Sequence, residues 1–272
     1  MRCGIEIVPF GDFADPRVIA KFAQLAEEAG WEGVWIWDHI GFPYGVADPW
    51  VSLAAAAQAT RKIKLVAGVC VLPRYKPHLL WRMITSLDIL SSGRLILGAG
   101  SGAVADEFTS HGESYDQKQL AGKLDEGLEL LTRMWTGKTV SHHGEYYTAE
   151  GIAYTPTPHQ KPRPPVWIGG ESKPARRRAA RWDGWIIGTV DENNQITKTP
   201  AQLAEDAAYI NDHRASQMPF DIAIDGITTG AGDAARVREY EDAGATWYFE
   251  ILFGLRGSMD ELLARVEAGP PG

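Results

Sequence analysis

An adjacent acid and base, Asp38-His39, closes the apolar run Val34-Trp35-Ile36-Trp37. An imidazole there can shuttle a proton or donate a hydrogen bond near neutral pH, and a neighbouring carboxylate can fix its tautomer or bind a polar ligand group. A second apolar run, Leu65–Val69, leads into Cys70-Val71-Leu72-Pro73. The local sequence offers no activating base or cation, so the Cys70 thiol reads as packing material rather than a nucleophile. A third, Leu95-Ile96-Leu97, leads into Gly98-Ala99-Gly100-Ser101-Gly102, with Asp106-Glu107 following. These glycines let main chain approach a ligand, although the string lacks the spacing of a dinucleotide-binding turn. A fourth run ends in Trp167-Ile168-Gly169-Gly170-Glu171-Ser172, just before a helix that begins near Pro174. Glycines before a helix expose N–H groups and a positive dipole end suited to phosphate. Lys173, Arg176, Arg177 and Arg178 add positive charge beside them, some serving only as a solvated face.

Other chemistries fit poorly. His142-His143 is an adjacent pair in an irregular stretch without Cys or carboxylate at metal-ligand spacing, so no metal site is expected. The chain has no GxSxG elbow and no P-loop lysine. A net charge of −8 over 272 residues argues against a general nucleic-acid binder. Two cysteines, Cys3 and Cys70, give no disulfide framework. No apolar run is long enough for a membrane span, and Met1–Glu6 enters a strand-like segment without a signal-peptide core, so a cytoplasmic location is the expectation. Ten tryptophans, several near strand ends, suit either an aromatic-walled pocket or ordinary burial.

The elements that must position these residues alternate along the whole chain. Strand patterns fall at about 3–9, 33–38, 64–71, 94–99, 165–169, 184–188, 221–227 and 246–252. Helix patterns fall at about 16–29, 49–60, 77–91, 117–136, 173–182, 200–214, 233–243 and 258–268. Asp15 and Pro16 open the first helix and Gly30 closes it, with Val18, Ile19, Phe22, Leu25, Ala26 and Ala29 as its apolar stripe. In the third, Pro77 and Gly93 bracket a stripe of Leu79, Leu80, Met83, Leu87 and Leu90. The strands are nearly continuous apolar runs, as in parallel sheets covered on both faces. Eight such units predict an α/β fold of the (β/α)₈ TIM-barrel type as a single domain over 1–272, in preference to an open doubly wound sheet. Residues 137–163 break the rhythm, predicting an inserted segment before the fifth strand with a short hairpin around 139–154. In such a barrel all four candidate clusters converge on one mouth.

Five segments together resemble the bacterial luciferase-like superfamily. They are Trp35–His39, Leu72–Leu80, Ser92–Gly102, His143–Tyr147 and Pro165–Gly170, in that order and mostly within residues 1–190. The resemblance implies a (β/α)₈ barrel that binds reduced FMN or a deazaflavin, coenzyme F420, in its mouth. Asp38-His39-Ile40 is more similar to the deazaflavin-using branch. It implies that Asp38 contacts the coenzyme and that His39 stands at the reacting ring edge as proton or hydrogen-bond donor. The bond Cys70–Val71 matches the family's non-proline cis peptide, a bulge that backs the ring. Ser101-Gly102 and the stretch Ile168, Gly169, Gly170, Glu171 and Ser172 match contacts to the ribityl and phosphate parts. Sugar-phosphate-oxidising members carry a catalytic Glu where this chain has Ala103, and Glu107 lies one helical turn further on.

The implied activity is hydride transfer between F420 and a small-molecule substrate, with an FMN-dependent monooxygenase or a non-catalytic flavin carrier as alternatives. Arg74, Tyr75, Phe42 and Tyr44 are expected at the mouth, and Trp50, Trp185 and His111 are candidates for the substrate pocket. A homodimer is a candidate assembly.

Overall fold

The computed structural model describes residues 1–41, 45–191, 195–254 and 256–271. Among these, β1 (Arg2–Ile7), β2 (Gly33–Ile36), β3 (Lys64–Val71), β4 (Leu95–Gly100), β7 (Val166–Gly169), β8 (Gly184–Ile187), β9 (Asp221–Gly226) and β10 (Trp247–Leu252) form a closed barrel. Every neighbouring pair is parallel, and β1 closes the ring on β10. β5 (Thr139–His143) and β6 (Thr148–Ala153) make a separate antiparallel hairpin between the fourth and fifth barrel strands, within the predicted insertion.

Helices α1 (Pro16–Glu28), α2 (Pro49–Ala59), α3 (Pro77–Leu90), α5 (Gln117–Met134), α6 (Lys173–Ala179), α7 (Pro200–His213), α8 (Ala234–Asp242) and α9 (Met259–Glu267) follow the barrel strands. A one-turn helix, α4 (Asp106–Thr109), is an addition that the sequence pattern did not reveal. Side-chain caps start many of these helices where strand gives way to helix. Asp15, Asp48, Asp116 and Ser172 each accept a backbone N–H, and Thr199 and Ser258 form full capping boxes with Gln202 and Glu261. The α3 stripe differs from expectation at its edges. Leu80, Trp81, Ile84 and Leu87 are buried at helical spacing, whereas Leu79 and Leu90 lie off that face and are exposed.

Strand alternation separates two cores. Outward residues such as Ile5, Ile7, Val34, Ile36, Leu65 and Leu97 pack under the helices. Inward residues Trp35, Val66, Ile96, Trp167, Ile186, Ala223, Trp247 and Phe249 fill the barrel. Trp247 stacks on Phe249 with ring centroids 5.3 Å apart. This aromatic plug closes the lower barrel. Two residues further along several strands the inward positions change character, to Trp37, Gly98, Gly169, Gly188 and Asp225. The plug therefore gives way to open space at the carboxyl ends, the face where barrel sites form.

Candidate active site

That space is a cavity of about 370 Å³, in the size range of small-molecule clefts. It is lined by Glu6 (β1), Trp35 (β2) with Trp37, Asp38 and His39 just after it, Val69 and Val71 (β3), Gly100 (β4) with Ser101 to Ala103 after it, Gly169 (β7) with Gly170 after it, Gly188 and Val190 (after β8) and Asp225 (β9). Seven of the eight barrel strands, or the segments directly after them, contribute to one site.

One wall is the end of β3. The ladder between β3 and β4 shifts register between Ala67 and Cys70, and the non-proline cis peptide lies at Gly68–Val69. The expectation of Cys70–Val71 is thus corrected by two residues. Cys70 has already resumed regular pairing with Ala99, while Gly68 sits where a Cβ would come within 2.8 Å of Trp35 Nε1. Trp35 Nε1 donates to the Gly68 carbonyl and steadies the irregularity. Val69 projects across the neighbouring strand β4 towards β7. A Cβ at Gly100 would meet Val69 Cγ1 at 2.5 Å, and one at Gly169 would meet Cγ2 at 2.7 Å. Both glycines are there because Val69 occupies the space a side chain would need. Gly102 adds a left-handed turn, φ +94°, which carries the chain over Phe108.

Beside this wall stands the acid–base pair. Asp38 is buried, and its Oδ2 accepts from Val71 N at 3.0 Å and Tyr75 Oη at 3.1 Å. Its Oδ1 faces Arg74 Nη2 at 2.9 Å, and the same nitrogen donates to the Asp38 carbonyl at 2.7 Å. Both carboxylate oxygens are therefore held by the segment after β3, tying the end of β2 to the bulge. His39 is about one fifth exposed, and its Nδ1 lies 2.9 Å from Glu107 Oε1. Glu107 Oε1 also accepts from Ile40 N at 2.9 Å, while Oε2 accepts from Arg74 Nη1 at 2.9 Å. Burial raises the Glu107 carboxyl, but the Ile40 N–H, His39 and Arg74 together bring it below the usual glutamate value. An ionised carboxylate only accepts hydrogen bonds, so Nδ1 of His39 is the donor towards Glu107, which makes Nε2 the acceptor nitrogen of that tautomer. Trp37 lies 5.4 Å from the His39 ring, centroid to centroid, and completes the wall.

The floor is acidic. Glu6 is fully buried; Trp37 Nε1 donates to its Oε1, and Oε2 has no hydrogen-bond partner among the described residues. Burial, then the charge of Asp225, pushes its carboxyl well above the usual range. Asp225 is itself buried and accepts from Thr189 N; burial pushes it up to about 7.

Of the residues singled out from sequence, Asp38, His39, Val71, Ser101, Gly102, Gly169 and Gly170 line this cavity. Cys70, Ile168, Glu171 and Ser172 do not. Cys70 and Ile168 point into the outer core by strand alternation, and burial pushes the Cys70 thiol well up, against a nucleophilic role. Glu171 pairs with Lys198 at 2.9 Å, and Ser172 caps α6. Two cations of that helix are also engaged, Arg176 with Asp206 and Arg178 with Asp125, while Lys173 and Arg177 are exposed. Trp50, Trp185 and His111 are likewise outside the cavity: Trp50 bonds Tyr75, Trp185 bonds the Gly170 carbonyl, and His111 is exposed. Arg74 and Tyr75 hold the site from behind, and Phe42 and Tyr44 lie outside the described residues. Sequence reasoning missed Glu6, Val69 and Asp225. The inward alternation of β1 and β9 carried a signal for the two acids.

Comparison with known proteins finds relatives of this chain in sequence and in fold. An F420-dependent hydroxymycolic acid dehydrogenase of Mycobacterium tuberculosis is 31% identical over 195 residues, covering 67% of this chain and 51% of that protein. An F420-dependent glucose-6-phosphate dehydrogenase of Amycolatopsis mediterranei is 31% identical over 179 residues, covering 63% and 53%. The chain thus spans about half the length of these two relatives. An F420-dependent secondary alcohol dehydrogenase in complex with an F420-acetone adduct has a similar fold, with a TM-score of 0.83 at 15% identity over 99% of this chain and 98% of that one. The family described as luciferase-like monooxygenase matches residues 7–256, and the chain belongs to it.

Proposed function

We propose that this chain is an oxidoreductase that transfers a hydride between coenzyme F420 and a small organic substrate. The observation that carries the reading is the His39–Glu107 pair beside a flat, apolar wall made by Val69. The cavity fits a planar ring: Gly100 and Gly169 keep side chains off the strands around Val69, and an orphaned Glu6 oxygen waits for a polar partner. The names of the two curated relatives favour the deazaflavin over FMN.

When bound, the deazaflavin supplies two-electron hydride chemistry, and the protein supplies binding and orientation. Val69 supports one face of the ring site. His39, fixed through Nδ1 by Glu107, holds or moves a proton at Nε2. Asp38 acts as a positioning residue that keeps Val71 and the bulge in place, with Arg74 bridging it and Glu107. Ser101-Gly102 and the backbone of Gly169-Gly170 flank the path for the coenzyme's polar tail, with Glu171 and Ser172 at its outer end. Glu107 does not line the cavity, so it does not replace the acid absent at Ala103. The reading therefore excludes sugar-phosphate oxidation of the Glu-dependent kind.

Titrating the purified protein with F420 and with FMN, while recording oxygen consumption, tests the proposal. Tight F420 binding with substrate-dependent bleaching of the coenzyme and no oxygen uptake is expected. Preference for FMN with oxygen uptake would make the protein a monooxygenase instead.

A further inference from the structure

The mechanism above leaves Glu6 unused, although it is the most unusual side chain of the cavity. Its neighbours on β1, Ile5 and Ile7, are fully buried in the outer core, so alternation turns Glu6 into the barrel, above the aromatic plug. An apolar residue would complete that packing. Glu6 instead keeps a buried oxygen without a partner, which a purely structural role does not explain. Trp37 Nε1 already occupies Oε1, leaving Oε2 as the oxygen for further bonding.

Resting on the deazaflavin reading, we infer that Glu6 is a ligand-recognising residue, donating a hydrogen bond from Oε2 to a carbonyl oxygen or ring nitrogen of the molecule bound above it. A pyrimidinedione ring edge has this chemistry, and so does a carbonyl substrate. The donor is a neutral acid. Two carboxyl groups in one enclosed space do not both ionise readily, and Glu6 shares the cavity with Asp225. Burial and Asp225 both act to keep the Glu6 proton on. The other titratable groups of the cavity are Asp38, held by Arg74, and His39, held by Glu107. On β10, Glu250 is engaged by Arg256 and Arg265, and Glu171 acts on Asp225 from beyond β7.

The test combines infrared spectroscopy of the coenzyme-free protein with fluorescence titration of F420 and of FMN, from pH 5.5 to 8.5. Wild type, Glu6→Gln and Glu6→Leu are compared, with thermal melts to verify folding. The inference expects a protonated-carboxyl band near neutral pH that is missing from Glu6→Gln. It also expects coenzyme affinity about tenfold weaker in Glu6→Leu but within about threefold of wild type in Glu6→Gln, whose amide still donates. Wild-type affinity should fall as pH rises through the titration of the pair, a trend that needs no variant. A missing band overturns the inference while leaving the coenzyme reading intact. So does equal coenzyme affinity in Glu6→Leu, unless substrate KM alone rises tenfold, which assigns the acceptor to the substrate. Affinity that rises with pH overturns it in favour of a cation site. Failure of wild type to bind either coenzyme removes the proposed function and this inference together.

Discussion

His39 shows how much a single side chain depends on partners that are remote in sequence. Asp38-His39 was legible because it sits at a strand end. Glu107, 68 residues away, was recognisable only as an acid near a glycine-rich loop. What makes it matter is burial with Ile40 N–H, His39 and Arg74 converging on it, and no local pattern encodes that convergence. His39→Ala is expected to lower kcat by about 10²–10⁴-fold, the range for losing a positioned acid or base, with little change in coenzyme Kd. Unchanged turnover in steady-state assays would remove His39 from the chemistry. The acids of the site also set opposite pH dependences. Glu107 titrates below its usual 4.5, so its contribution to stability is complete above that value and is lost as pH falls through the lower folded one. Asp225 is raised from 3.8 to about 7, so folding is penalised increasingly as pH rises between those values. Glu6→Gln relieves that pair. Its melting temperature should exceed wild type by more at pH 8 than at pH 5; equal increments would contradict the account.

At the scale of the element, the strands were read well and the bulge was not. Apolar runs, caps and terminating glycines located the barrel strands and their helices because each signal is local. The hairpin Thr139–Ala153 was also legible as a break in rhythm, and Glu126 pins it by accepting from His142 Nε2 at 2.9 Å and Tyr147 N at 2.8 Å. The irregularity in β3 was placed two residues late. Leu65–Val71 reads as one smooth apolar run, whereas the departure is fixed by contacts of Gly68 with Trp35 on β2. The same contact logic gives Gly169 its role. Gly169→Ala would drive a methyl into Val69 and push that side chain into the cavity, so coenzyme affinity should fall by at least about tenfold. A fluorescence titration matching wild type would show that Val69 does not form the ring's support.

Across the whole molecule, the barrel sorts residue types by height. Trp35, Trp167, Trp247 and Phe249 seal the lower interior, so the barrel opens into ligand space at the carboxyl ends of the strands. Glycines and acids two residues further on make that space and give it polarity. This layering was written in the sequence as Trp167-Ile168-Gly169 and Ile186-Ile187-Gly188, but reading it requires knowing which strands face each other. The central claim is that a deazaflavin ring lies against Val69 with its reacting edge at His39. A crystal structure of the protein with F420 tests it most directly. The account predicts the ring in van der Waals contact with Val69, within reach of His39 Nε2, and its tail leaving past Gly102 and Gly170. A coenzyme seated outside the barrel mouth, or turned with its reacting edge away from His39, would contradict it.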